Sequence, residues 1–339
     1  MADPAHVPTD EEFLAYLHDQ LKDDEWVGIQ KRFTADSDLV KEAKRYIAEG
    51  SFAEDQLNDL VEALYEATTP AAYFRGKFID SLRHAALKMI GKHDESLDRV
   101  LVACMPTRIL NAAAWSTPRG GALIVLDQGV IAQLGTLVRA FVAYHTWEQP
   151  EPYCHDHSKA AFGRTIQYLA AYSISGDMNW LKRIETYDCP SLRLHDPVVE
   201  YLSVGIELFI MLHEYGHIIL GHLSTAAVTP MKLAAGNEVT ILVNSVDQEF
   251  QADEFAFKTY ASTGVKPWDV ALSAGLMMHF FHLGEMLAPA PTVKTHPPSL
   301  ERWSRIRAMA DPKQHPRSWA NYLDDDFAPL AATLRDVVA

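Results

Sequence analysis

Three histidines and a glutamate interrupt an otherwise apolar stretch, IMLHEYGHIILGH, at residues 210–222. Burying these polar side chains is unfavourable unless each of them finds a partner. His213 and His217 are four residues apart, so on a helix their imidazoles lie on one face and can bind the same ion. Glu214 lies next to that face, where it can hold a water on the metal. The spacing is typical of a zinc site, whose bound water has a pKa of about 7 and acts as a nucleophile.

Such a site needs a third protein ligand, because the HExxH pattern also occurs by chance in ordinary core helices. In metzincins this ligand is a later histidine, but the required position is Leu223 here, and Leu220 replaces the required glycine. The sequence therefore excludes the metzincin arrangement. His222 misses the ligand position by one residue and is interpreted as a support at the end of the helix.

A second predicted helix, SVDQEFQADEFAF, begins with Ser245 and Gln248 at capping-box spacing and supplies acidic candidates for the third ligand. Glu249 and Asp253 lie four residues apart on one face, and Ala252 is small enough to allow a close approach between helices. Glu249 is the predicted ligand. Asp253 is predicted to accept the other ring N–H of a ligand histidine and so to fix its tautomer. Asp247 and Glu254 are the competing candidates, and an acidic solvated helix face is the alternative interpretation.

Together these stretches resemble gluzincin metallopeptidases of the kind that includes the CAAX prenyl endopeptidases and related bacterial quality-control proteases. HEYGHIILGH is similar to the HExxH and further histidine of that family, and EFQAD to its E-x-x-A-D ligand helix. THPPSLERW (295–303) resembles its H-P-x-x-x-x-R element. NAAAW and GGALIVLDQGVI, within 111–131, resemble its strand, turn, second strand and following helix.

The resemblance implies a role for each matching residue of the two helices. One zinc ion per chain would be held by His213, His217 and Glu249, with a water as the fourth ligand. Glu214 would be the general base that activates this water and later protonates the leaving amine.

Three further roles follow from the same resemblance. His296 would hydrogen-bond the tetrahedral oxyanion, although an ordinary loop histidine before two prolines is an equal alternative. Arg302 would tie the last helix to the carboxylates of the site. The strand at 110–115 would be an edge that pairs with an extended peptide substrate.

The spacing of apolar residues in the elements that position these residues predicts a mainly helical α+β fold. A helical N-terminal extension at 1–96, whose third helix spans about 71–91, precedes a zincin-like metallopeptidase domain at 97–339. This domain has a small β-sheet, an active-site helix and an insertion at about 148–198. Its other predicted elements are strands at 99–105, 108–115 and 122–128, helices at 129–147, 246–262 and 267–287, and a last helical pair after His296.

Composition limits the functions that are open to the chain. Its 339 residues carry a formal net charge of -15, which argues against nucleic-acid or anionic-membrane partners, since both require a basic surface. The apolar stretches at 202–223 and 268–290 contain charged residues and histidines, so they predict buried helices and no membrane span. The odd, widely spaced cysteines and the acidic N-terminus favour a cytoplasmic protein. The three cysteines are Cys104, Cys154 and Cys189.

The predicted function is that of a soluble intracellular zinc endopeptidase acting on protein or peptide substrates. A first alternative is a triggered, narrow-specificity protease of a stress or phage-defence system, with the insertion and the N-terminal helices as its sensor. A second is a non-cleaving zinc-binding scaffold with a partner surface on the N-terminal helices, although the intact Glu214 argues against it. The run from Cys154 to His157 in the insertion is interpreted as a polar loop, because no neighbour completes a metal site.

Overall fold

The computed structural model describes the chain in several stretches, and every structural statement below concerns these residues. They are 77–91, 97, 100–105, 112–116, 122–127, 130, 134–135, 137–139, 141–142, 196–224, 227–232, 238–287, 296–311, 323–325 and 327–328. The predicted helices within 9–68 and nearly all of the predicted insertion, including Cys154 to His157, lie outside the described residues. The domain boundary after residue 96 therefore stays a prediction.

Three short strands form a mixed sheet, in agreement with the predicted strands. They are β1 (Leu101–Met105), β2 (Ala112–Ser116) and β3 (Ala122–Asp127), in the order β1-β3-β2. β1 runs parallel to β3, whereas β2 runs antiparallel to it, with Ala112 opposite Leu126. In the described part of the chain, β2 is thus an edge strand that pairs with β3 on one side.

The helices fill most of the rest of the described chain. They are α1 (Lys77–Ile90), α2 (Asp196–Ile219), α3 (Val246–Ala261), α4 (Pro267–Leu287) and α5 (Ser299–Met309). α3 and α4 agree with the predicted ranges to within one residue. A mainly helical chain with a small mixed sheet is an α+β architecture, as predicted.

α2 is the central element, because its sequence is apolar on nearly every face. Every residue from 205 to 217 is buried, and the helix packs against α1, α3, α4 and β2. By length and composition alone, Pro197–Ile219 could cross a membrane, but 78% of its most apolar window is buried within the protein. A core helix whose apolar residues are mostly buried has this property.

The starts of α3 and α5 are fixed by different kinds of N-terminal cap. The predicted capping box of α3 is present: Ser245 Oγ accepts the backbone N–H of Gln248, whose side chain accepts the backbone N–H of Ser245. α5 follows Pro298, whose side chain offers no cap. Glu285 of α4 replaces it by accepting the backbone N–H of Ser299 at 3.1 Å and its hydroxyl at 2.6 Å. Packing between α4 and α5 thus sets where α5 begins.

A two-stranded antiparallel hairpin between α2 and α3 was not predicted. Its strands are β4 (Ala227–Lys232) and β5 (Glu238–Val243). Pro230 lies within β4, and a proline inside an apolar run is a signal against a strand. Pro230 is tolerated because β4 is an edge of this two-stranded sheet. The run VTILV in β5 was the signal that could have revealed the hairpin.

Candidate metal centre

The two histidines of the HExxH pattern and Glu249 bring three donor atoms together. His213 Nε2 is 3.1 Å from His217 Nε2, and the Glu249 carboxylate oxygens lie 3.5 Å and 3.4 Å from these two nitrogens. A tetrahedral zinc ion with bonds of about 2.0–2.2 Å holds its ligand atoms about 3.3–3.6 Å apart. The three residues are at most 5% exposed. This buried group of donors can hold a single metal ion.

His213 is backed by a buried ion pair that joins α3 to α5. Its Nδ1 lies 2.9 Å from Oδ1 of Asp253. Arg302 donates to both oxygens of the same carboxylate, from Nε at 2.8 Å and from Nη2 at 2.7 Å. Nη2 is also 3.4 Å from Nδ1 of His213, but a guanidinium cannot accept a proton, so the proton on Nδ1 belongs to the contact with Asp253. In the neutral ring, which a metal ligand requires, the lone pair of Nε2 then faces the metal position.

His217 is backed by a chain of uncharged groups. Its Nδ1 lies 3.0 Å from Nδ1 of His222, and Nε2 of His222 lies 3.1 Å from Oε1 of Gln251 on α3. His222 is buried at the start of the 3₁₀ helix His222–Ser224, directly after α2. The residue interpreted from sequence as a support at the helix end thus contacts a predicted ligand directly.

Glu249 is held in place on both of its oxygens. Asn244, which comes two residues before α3, donates its side-chain amide to Oε1 at 3.1 Å. His296 Nδ1 lies 2.8 Å from Oε2, and Arg302 Nη1 lies 3.8 Å from the same atom. The structure therefore brings His296 to the site through the H-P element that precedes α5. Sequence reasoning had no signal for Asn244, because its role depends on the start of α3.

The contact with Glu249 constrains what else His296 can do. With the Nδ1 proton donated to Glu249, Nε2 carries a proton only when the ring is an imidazolium. A hydrogen bond from His296 to an oxyanion, which stays a prediction, therefore requires the charged form of the ring. Its side chain is 29% exposed, so the ring reaches from the buried ligand toward solvent.

Glu249 and Asp253 are ionised despite their burial. Burial opposes ionisation of Glu249, but the charges of His296 and His213 and their hydrogen bonds hold its pKa well below the usual value. Burial likewise opposes ionisation of Asp253, and Arg302 outweighs it, lowering the pKa of Asp253 to about 2. Two buried anions thus face one buried guanidinium. An additional positive charge suits this balance, and either a protonated His213 or a metal ion bound to the donor set can supply it.

The same buried environment shifts the pKa values of His213, His217 and Glu214. Burial lowers the pKa of His213, but its hydrogen bonds with Asp253 and Glu249 prevail and raise the pKa to about 9. Burial and the neighbouring His213 lower the pKa of His217 to about 3. Burial raises the pKa of Glu214 to about 7, and the charge of His213 partly offsets that rise. The site thus favours a positive charge beside Glu249 and keeps Glu214 able to exchange a proton near neutrality.

The competing acidic residues of α3 lie away from the donor atoms. Asp247 and Glu254 are both exposed, and Glu254 forms an ion pair with Lys258 one turn later. Glu249, in contrast, is completely buried. The structure therefore favours Glu249 over its two competitors as the third donor.

Comparison with known proteins gives one match. A family model described as Peptidase U49 matches residues 167–322, a range that contains α2, α3, α4 and α5. No curated protein and no solved structure matches the chain significantly. The match supports a peptidase family, but it does not specifically support the gluzincin or CAAX-endopeptidase resemblance.

Proposed function

We propose that this chain is a zinc-dependent endopeptidase with a gluzincin-type site on a zincin-like arrangement of α2 and α3. The observation that carries the proposal is the buried group of His213, His217 and Glu249, whose donor atoms have nearly the spacing of a tetrahedral zinc site. The peptidase family match over the same helices supports hydrolysis of peptide bonds.

The residues of the chain would divide the reaction between them. A zinc ion held by His213, His217 and Glu249 would supply Lewis acidity and a water with a pKa of about 7. Glu214 would take up the proton of the attacking water and pass it to the leaving amine. Asp253 and Arg302 keep the Nδ1 proton of His213 in place.

His296 would act as the oxyanion donor in its protonated form. The imidazolium can donate Nδ1–H to Glu249 and Nε2–H to the developing negative charge at the same time. Its partly exposed position, between the buried ligand and solvent, is compatible with contact to a substrate.

The placement of β2 supports an extended peptide as the substrate. β2 is an edge of the described sheet, and it packs against α2, which carries the HExxH residues. Strand addition at such an edge binds a peptide backbone with little dependence on sequence. A protein or peptide substrate, rather than a nucleic acid, also fits the acidic net charge of -15.

The test compares wild type, Glu214→Gln and His213→Ala for metal content and for cleavage of a denatured proteome. We expect zinc in wild type and Glu214→Gln but not in His213→Ala, and new peptide termini with wild type alone. Loss of the general base should slow cleavage by about 10²–10⁴-fold. Equal zinc contents in wild type and His213→Ala would overturn the metal assignment.

The same variants separate an enzyme from a non-cleaving scaffold. Glu214→Gln removes the proton acceptor but leaves every proposed ligand in place. If cells that carry Glu214→Gln keep the function of the wild-type protein while the zinc stays bound, catalysis is not its role. Cytoplasmic localisation stays a prediction from the cysteines and the N-terminus.

A further inference from the structure

We infer that His222 and Gln251 are positioning residues that select the tautomer of His217 and so set the strength of metal binding from the protein surface. This inference rests on the proposed function, because it concerns one of the three proposed zinc ligands. His222 and Gln251 do not contact the metal position themselves. They act through Nδ1 of His217, as second partners of metal-bound histidines do.

The two hydrogen bonds that link His217, His222 and Gln251 have a defined donor and acceptor at each step. His217 must present the lone pair of Nε2 to a metal, so its proton resides on Nδ1. Nδ1 of His217 lies 3.0 Å from Nδ1 of His222, which can accept that proton only if the proton of His222 is on Nε2. Nε2 of His222 in turn lies 3.1 Å from Oε1 of Gln251, which is an acceptor. A single arrangement of protons therefore satisfies His217, His222 and Gln251 together.

The reverse arrangement conflicts with metal binding. If Gln251 turned its amide nitrogen to His222, the proton of a neutral His222 would move to Nδ1 and face His217. His217 would then have to accept at Nδ1 and carry its proton on Nε2, opposite Nε2 of His213 and Glu249. A metal could bind only after that proton was displaced. The orientation of one side-chain amide therefore decides whether His217 is ready to bind.

The two proposed histidine ligands are backed in different ways. Nδ1 of His213 donates to an ionised carboxylate, Asp253, which is itself held by Arg302. Nδ1 of His217 donates to a neutral imidazole. A neutral acceptor adds no third anion to a site that already holds two buried carboxylates and one guanidinium, and it leaves His217 the less basic ligand.

The position of Gln251 makes the inference testable without disturbing the core. His222 is 4% exposed, whereas Gln251 is an exposed residue of α3. Exposed substitutions on a helix usually change stability little. A change in metal affinity caused by Gln251 must therefore pass through His222 rather than through loss of the fold.

The experiment measures zinc affinity by competition with a chelator for the full chain and for substitutions at Gln251. Gln251→Leu removes the acceptor and should weaken zinc binding by about 3–10-fold, below the 10–100-fold range for loss of a direct partner of a ligand. Gln251→Glu keeps an acceptor and should bind zinc at least as tightly as wild type. Glu254→Gln, on the exposed face of the same helix, is the control and should leave the affinity unchanged.

Two further readouts separate a tautomer effect from simple packing. His222→Leu keeps an apolar filler but leaves Nδ1–H of His217 without an acceptor, so zinc affinity should fall by about 10–100-fold. Nitrogen-15 NMR of the zinc-loaded protein should show a protonated Nε2 and an unprotonated Nδ1 on His222. The same spectrum of Gln251→Leu should show a mixture of both tautomers.

The outcomes distinguish this inference from the proposed function. If wild type binds zinc but Gln251→Leu, Gln251→Glu and Glu254→Gln all bind it equally, the positioning role is overturned and the metal site stands. A proton on Nδ1 of His222 in the zinc-loaded protein would overturn it as well. Failure of wild type to bind zinc would instead overturn the metal assignment, and the inference with it.

Discussion

Glu207 is a buried carboxyl group on α2, two turns before Glu214, and the sequence patterns did not identify it. Its side chain belongs to the protein interior, since the residue is only 6% exposed. Burial raises its pKa to about 7. A group whose pKa is higher in the folded than in the unfolded chain binds more protons when folded, so ionising it opposes folding.

The sign of the resulting pH dependence follows directly. The stability due to protonated Glu207 is fully present below the unfolded pKa of about 4.5 and is lost as the pH rises to about 7. Glu207→Gln is neutral at every pH, so it should be more stable than wild type at pH 8, by on the order of 1–3 kcal/mol. The two proteins should be equally stable at about pH 4.5. Urea unfolding at both pH values measures the difference.

Glu200 offers a matched control on the same helix, because it is exposed. Glu200→Gln should change stability at pH 8 by no more than about 0.5 kcal/mol, as exposed substitutions usually do. A Glu207→Gln protein that was no more stable than wild type at pH 8 would show that the ionised carboxylate is well accommodated in the interior.

Residue types, spacing and the family resemblance were sufficient to predict the candidate donors and the contacts of Asp253 and Arg302, but not the side-chain amides around them. Helical geometry alone placed His213 and His217 on one face, and the capping box fixed where Glu249 falls on α3. Asn244 and Gln251 are side-chain amides with no pattern of their own. Their roles follow from where α3 lies against α2, which is a property of the folded chain.

At the scale of elements, the site depends on the close approach of α2 and α3. Gly216, between Glu214 and His217, faces Ala252 of α3. A Cβ atom built on Gly216 would lie 3.3 Å from Cα of Ala252 and 3.1 Å from Cδ1 of Phe255. The small residue expected at position 252 is thus met by a second one across the interface. This contact brings the proposed ligands of the two helices within reach of one ion.

Enlarging Gly216 should therefore separate the ligands. Gly216→Ala needs shifts of only a few tenths of an ångström, and the higher helix propensity of alanine offsets part of their effect. Gly216→Val forces the helices apart, which should destabilise the fold by about 1–3 kcal/mol and weaken zinc binding. Thermal unfolding and chelator competition measure the two effects. Gly135→Val is the control, because a Cβ there would lie within 4 Å of no atom of the described residues. Tight zinc binding by Gly216→Val would argue against the interface as the source of the ligand geometry.

The elements differ in how well local sequence specified them. α3 and α4 have clear starting signals and helical spacing, and the short apolar runs of β1, β2 and β3 follow strand patterns. The β4–β5 hairpin did not follow a recognisable strand pattern, because Pro230 is acceptable only in a strand with a free edge. Whether an edge is free is decided by the assembly of strands and not by the run itself.

At the scale of the whole molecule, the site lies where the main elements of the described core converge. α2 and α3 supply the donors, and α5 supplies Arg302, while Glu285 of α4 fixes the start of α5. One core cluster joins α1, the three-stranded sheet, α2, α3, α4 and α5. Binding of an ion to donors on two helices should therefore be coupled to the stability of the described core as a whole.

Removal of the metal should accordingly lower the stability of the entire fold. A ligand that binds only the folded chain stabilises it by about 2.7 kcal/mol at a hundredfold excess over its dissociation constant. For a domain of this size, that corresponds to a fall in the melting temperature of about 5–10 °C when a chelator removes the zinc. Scanning calorimetry of wild type and Glu214→Gln should show this fall. His213→Ala, which lacks a ligand, should melt at the same temperature with and without chelator. A chelator-insensitive wild type would mean that the three donors hold no ion in the folded protein, and that Arg302 and a protonated His213 balance the buried carboxylates.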